Sequence, residues 1–166
     1  MKIINFKILP ALIILLSVLS CSSKKSVVPE VLNCPKGAIC TSDIIHDTAA
    51  SLESDEFDKN YIKLIPSVNQ KTLKLTYKIE QTEGIADSQY VEEIYIPLNK
   101  ILKTNESGKK LYTTAYYGIL NNYRNGSQYK MTEQCAIRIK RQKSNIYLEI
   151  ELEDLKWNKT IVKLKS

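Results

Sequence analysis

The chain has 166 residues, with 24 Lys and Arg against 18 Asp and Glu, a formal charge of +6 and 43% hydrophobic residues. That is the length of one ordinary domain, and the composition excludes collagen-like, wholly disordered and multidomain chains. The surplus of positive charge is too mild for a nucleic-acid signature.

Residues 1–20 begin with Lys2 and Lys7, run through an apolar stretch from Ile8 to Leu16, and end in Ser17, Val18, Leu19 and Ser20 before Cys21. A charged start, an apolar segment and a small residue are the order of a secretory signal. A spanning helix needs about 20 consecutive apolar residues, and Asn5, Lys7 and Pro10 interrupt this run. The ending Val18-Leu19-Ser20-Cys21 resembles the lipobox of bacterial lipoproteins, in which an aliphatic residue stands three before the Cys and a small one directly before it. The resemblance implies cleavage before Cys21 and acylation of Cys21. Acyl chains contribute about 0.8 kcal/mol per buried CH₂, so one chain is marginal and several hold a domain on a membrane.

Residues 21–33 read as the lipidated cysteine and a tether, since Ser22 to Glu30 is small, polar and interrupted by Pro29. Lys24 and Lys25 can each gain about 1 kcal/mol at anionic headgroups, although two exposed lysines are more often simply solvated. Neither an Asp directly after Cys21 nor an acidic run follows. Among bacterial lipoproteins, that pattern implies an outer-membrane anchor facing the periplasm.

Residues 34–166 are then one β-rich domain. Cys34 and Cys40 bracket Pro35, Lys36, Gly37, Ala38 and Ile39. A proline with fixed φ and a permissive glycine let such a turn bring two Cα atoms to the ~5.5–6 Å that a disulfide requires. In an oxidising compartment this near pair is the natural bridge, which leaves Cys135 as a buried thiol. A bridge from Cys135 to Cys34 or Cys40 is the competing arrangement. Zinc on Cys34, Cys40, Cys135 and His46 fails, because the spacing matches no zinc pattern.

Short strands are expected over Cys40–His46, Ser51–Phe57 and Tyr61–Ile65. From Thr72 the period is two: Leu73, Leu75, Tyr77 and Ile79 alternate with Lys74, Thr76, Lys78 and Glu80, giving one apolar and one polar face. Further strands are expected over Tyr90–Pro97, Leu111–Leu120, Tyr129–Arg141, Ile146–Glu153 and Thr160–Lys165. A turn at Gln142 to Asn145 pairs Arg141 with Ile146, Ile139 with Leu148, Ile137 with Ile150 and Cys135 with Leu152, all the apolar partners falling on one face. The other face sets Arg138 opposite Glu149, so the stripe Glu149, Glu151 and Glu153 is a solvated face with basic neighbours. After Leu152 the apolar parity slips to Leu155 and Trp157, which predicts a β-bulge near Glu153 or Asp154 and a partner for the Trp157 indole N–H. Six to nine short strands without a helical pattern between them indicate an all-β antiparallel sandwich or barrel.

Catalytic signatures are missing. His46 is the single histidine, and there is no G-x-S-x-G, H-E-x-x-H, P-loop or G-x-G-x-x-G. Glu92 and Glu93 are neighbours on a strand and point to opposite faces, so they cannot serve one substrate as acid and base. No cofactor or metal is implied. Tyrosine is the compositional oddity, with ten against two Phe and one Trp. Tyr112, Tyr116, Tyr117, Tyr123 and Tyr129 crowd one segment together with Arg124, and this group is the candidate binding surface, set against a plainer role as strand formers.

The lipobox, the segment from Asn33 to Thr41 and the strand Tyr90-Val91-Glu92-Glu93-Ile94 together resemble a group of short flavobacterial lipoproteins of unknown function. That resemblance implies no catalytic residues. The expected function is a lipid-anchored, non-catalytic binding or assembly module with an envelope protein as partner and no nucleic acid. The alternatives are a carrier enclosing a small apolar ligand in a barrel and a small periplasmic hydrolase. A lysozyme inhibitor is disfavoured, because a net-positive chain loses electrostatic steering toward a basic enzyme.

Overall fold

A computed structural model describes residues 28–79, 89–104, 107–121 and 128–165. The signal segment, Cys21, Tyr123 and Arg124 lie outside the described residues. The strands are β1 (Val28–Val31), β2 (Ala38–Ser54), β3 (Asn60–Ile79), β4 (Tyr90–Pro97), β5 (Lys110–Asn121), β6 (Gln128–Gln142), β7 (Asn145–Glu151) and β8 (Lys159–Lys165), with one short helix, α1 (Asn99–Lys103).

Neighbouring strands pair antiparallel in chain order from β2 to β8, and β1 adds to the free side of β8. The result is an eight-stranded, nearly closed up-and-down barrel. The seam lies between β1 and β2, which touch without a backbone ladder. Two devices hold it. The Cys34–Cys40 disulfide, Cα atoms 5.6 Å apart, ties the connecting turn to β2. Asn33 accepts from Ile161 N at 2.6 Å and from the Thr160 hydroxyl at 3.2 Å, and donates to Lys159 O, fastening the same turn to β8. The turn itself needs Gly37, whose φ of +81° a side chain rarely adopts.

Strand alternation puts Ile44, Leu73, Leu75, Ile94, Ile96, Cys135, Ile137, Ile139, Leu148, Ile150, Val162 and Leu164 inside. Leu73, Leu75, Ile96, Ile137, Ile139 and Leu148 have no accessible surface at all, so side chains fill this layer of the interior. The β6–β7 register is as expected, from Arg141 opposite Ile146 to Ile137 opposite Ile150, with Lys143 and Ser144 turning the chain. Glu149 meets Lys140 and Arg138, and Glu151 meets Lys110 and Lys159, so these two members of the acidic stripe have basic neighbours, while Glu153 falls in the turn beyond β7.

Four expectations are corrected. Val28–Val31 is a barrel strand and not tether, because its backbone completes the edge of β8. The short strands expected between residues 40 and 79 are two long ones, β2 and β3, bent together where Asp47 and Asn69 take positive φ. Asp and Asn tolerate that conformation, and Asp47 Oδ1 accepts from Asn69 N at 2.9 Å. The connection after β4 contains α1; Leu98 just before it and Ile101 within it are buried against one end of the barrel. The bulge lies in β6, where Thr132 and Cys135 face Ala115 and Thr113. At residues 152–158 the parity slip is taken up by a turn, closed by Leu152 N donating to Asn158 O at 2.8 Å.

Candidate functional site

The turn 152–158 occupies the barrel end opposite α1, inserting Leu155 and Trp157 into the core. It is latched from inside. Glu92 shares strand parity with Ile94 and Ile96, so its side chain points inward and is 0% exposed. One of its oxygens accepts from Lys156 N at 2.8 Å and from the Tyr90 hydroxyl; the other accepts from Trp157 N at 3.0 Å. Tyr117, buried on β5, donates its hydroxyl to Asp154 of the same turn. Burial and this carboxylate partner push the Tyr117 phenol up to about 12. The Trp157 ring stacks on Tyr77 with centroids 5.7 Å apart, Tyr77 meets Tyr90 edge-on, and Lys156 Nζ lies 4.1 Å from the Tyr90 ring centroid. Contrary to expectation, the Trp157 indole N–H, on a residue only 3% exposed, has no hydrogen-bond partner among the described residues. The backbone of the turn is held while its indole donor is left over.

A second constellation lies on the outer surface. Beyond Asp47 the β2–β3 hairpin folds as an arm across the outer face of β4 to β6, burying Ala50 with Tyr95 and Tyr129 and packing Leu52 and Ile62 beside Tyr116 and Leu120. Glu93, pointing outward opposite to Glu92, organises the patch. It accepts from Tyr129 at 2.7 Å and Tyr95 at 2.9 Å and pairs with Lys74 at 2.7 Å. Burial pushes the Glu93 carboxyl up, but the bonds from Lys74, Tyr129 and Tyr95 outweigh it and hold it below the usual carboxylate range. Burial and the Glu93 carboxylate push both tyrosines well above their ordinary value. Gly118 is required beside them, since a Cβ there would stand 2.4 Å from the Tyr129 ring.

The proposed tyrosine surface is therefore divided. Tyr117 faces the interior, Tyr116 and Tyr129 lie beneath the arm, and Tyr112 stands exposed beside a polar cleft of about 190 Å³ bordered by Lys110, Gln134, Glu151 and Asp154. Cys34 and Cys40 form the seam disulfide, and Cys135 is a buried free thiol. His46 is exposed at the arm's bend. Among the described residues no group of three or more His, Cys, Asp or Glu side chains is placed to hold a metal ion. Sequence reasoning missed the Glu92 latch, although the parity of Glu92 with Ile94 and Ile96 was a sufficient signal. It also missed the arm, whose exposed side chains include Phe57, Tyr61, Leu64, Ile65 and Val68.

No known family, curated protein or solved structure matches this chain.

Proposed function

We propose that this protein is a lipid-anchored lipoprotein of the bacterial envelope, held through Cys21 on the periplasmic side of the outer membrane, whose barrel is a non-catalytic module for binding or assembly. The observation that carries the binding role is the arm. Phe57 at its tip is 71% exposed and Val68 at its bend is 82% exposed, with Tyr61, Leu64 and Ile65 between them. Large apolar side chains gathered on one projecting element mark a contact surface more often than single scattered ones do. An envelope protein is the partner this reading implies.

The test is affinity capture from native envelope, comparing the intact protein with a Phe57→Ser, Ile65→Ser variant. A partner retained by the first and lost by the second supports the reading; equal recovery by both, or no partner above background, overturns it. Intact mass and membrane fractionation, with and without Cys21→Ala, test the anchor separately. A second reading, a small-ligand carrier, is favoured by one observation, the Trp157 indole N–H at the barrel's latched end, which has no partner among the described residues. The filled interior layer weighs against it. Organic extraction of natively purified protein that releases a stoichiometric lipid or pigment would favour the carrier, and a clean extract would remove it.

A further inference from the structure

We infer that the α1 end of the barrel is a basic face that lies on an anionic lipid surface and sets the orientation of the anchored domain. The inference deepens the lipid-anchor reading and rests on it for the source of the membrane.

Two independent observations meet at this end. The first is charge. Residues 98–104 with α1, the end of β6 with its turn (141–146) and the end of β8 (163–165) contain six cations, Lys100, Lys103, Arg141, Lys143, Lys163 and Lys165, and no acidic residue. Besides Glu30, the acid near this end is Asp47 at the β2–β3 bend, bonded to Asn69 N, whose carbonyl Asn99 of α1 holds; the same connection goes on to Glu106, which lies outside the described residues. The β6–β7 register and the pairing of Asn145 with Lys165 put the last two segments side by side. Arg141 joins the first to them by donating to Leu102 O at 3.1 Å and Thr104 O at 3.0 Å. Glu30 engages Lys165 at 3.1 Å and Lys163 at 3.9 Å. Lys100, Lys103 and Lys143 are exposed and pair with no carboxylate among the described residues. At the other end the turn 152–158 is mixed, with Glu153 and Asp154 against Lys156.

The second observation is where the chain enters. Val28 pairs with Lys165, so β1 starts at this same end. The chain between Cys21 and Val28 spans at most ~25 Å even when fully extended. It also carries Lys24 and Lys25. The chain from a lipidated Cys21 therefore enters the domain at the basic end, and the charge there favours that end over the mixed turn 152–158 at the bilayer. Each Lys near an anionic surface contributes about 1 kcal/mol, and the attraction decays within a Debye length. A domain on so short a leash stays within reach of that field. Phe57 at the arm's tip is then left away from the bilayer for a partner in the periplasm, while Val68 at the bend lies at the α1 end beside Asn69, which Asn99 of α1 holds.

The experiment uses the Cys21→Ala protein, which lacks any acyl anchor, and sedimentation with vesicles of phosphatidylcholine containing 30% phosphatidylglycerol. The expected result is binding that disappears on pure phosphatidylcholine and falls about 100-fold when Lys100, Lys103 and Lys143 are changed to Gln, with a larger fall in Lys100→Glu, Lys103→Glu, Lys143→Glu. The control reverses three exposed lysines elsewhere, Lys36, Lys59 and Lys130, for the same change in net charge. Equal loss in the control means attraction by net charge alone and overturns the basic face, as does unchanged binding in the first variant. Circular dichroism of each variant secures the fold. Failure of the anchor is read elsewhere, as an unacylated Cys21 by intact mass, and leaves the vesicle result to stand or fall by itself.

Discussion

Glu92 shows how one side chain can decide whether a barrel end is closed. Its two oxygens hold the consecutive backbone N–H groups of Lys156 and Trp157, donors that burial would otherwise leave unsatisfied. Leaving such groups unpaired costs about 1–3 kcal/mol each. Glu92→Ala is therefore expected to destabilise the protein by about 2–4 kcal/mol, lowering Tm by roughly 5–15 °C. Glu92→Gln, which keeps an acceptor oxygen, costs less. Trp157 is the sole tryptophan, so intrinsic fluorescence reports the turn directly. A red shift in Glu92→Ala before global unfolding is the expected signature, and unchanged emission with native Tm would show that the latch carries no stability. Cys135 gives a second residue-scale outcome. Burial pushes its thiol up to about 12, so the Cys21→Ala protein should show no rapid reaction with a thiol reagent at pH 8 and one thiol after denaturation. Fast native labelling would contradict its place in the core.

The arm is the element packed over the tyrosines that Glu93 holds. Its docking rests on Ala50, Leu52 and Ile62 lying over Tyr95, Tyr116 and Tyr129, and the tyrosine hydroxyls converge on Glu93. Because the Glu93 carboxyl sits below its ordinary value of 4.5 in the folded protein, its stabilisation is complete above that value. It is lost as pH falls through the lower folded value. Acid should therefore loosen the arm before the barrel. Hydrogen exchange at pH 3 against pH 7, corrected for intrinsic rates, should show protection falling first in residues 48–66, while the β6–β7 ladder persists. Simultaneous loss in both, or an arm unaffected at pH 3, would refute this. The elements also differ in how plainly they could be read in advance. The β6–β7 hairpin was legible to the residue, since two alternating strands and a short polar turn leave one register that buries every apolar partner. The arm was not, because Tyr61 to Val68 carries apolar side chains without clean alternation, and its inner side packs on strands distant in the chain.

For the molecule as a whole, closure is the central question, since an eight-strand meander has two edges that must meet or be covered. Here β1 and β2 meet without a ladder, and the disulfide and Asn33 act in place of backbone bonds. Replacing Cys34 and Cys40 by Ser should cost about 2 kcal/mol, at the low end for so short a loop. The loss should be local at first: exchange at β1 and at Ala38 to Ser42 should quicken while β4 to β7 remain protected. A uniform loss of protection would mean that the seam and the barrel unfold as one unit.

Alternation carried an all-β antiparallel domain and the opposite orientations of Glu92 and Glu93, and the short Pro-Gly turn favoured Cys34–Cys40 over a bridge to Cys135, a choice that the structure decides. These follow from rules that act over a few residues: a period of two, a turn that returns the chain, a loop short enough to close. Tertiary structure decided the rest. It brought Glu92 to the backbone of Trp157, 65 residues away, set Glu93 under Tyr129, 36 residues away, and joined Arg141 to the connection holding α1. It also divided the tyrosines among core, arm and solvent. The sequence carries the parity of each strand, but which buried acid meets which donor depends on how eight strands curl around a common axis, and that is settled only when the sheet closes.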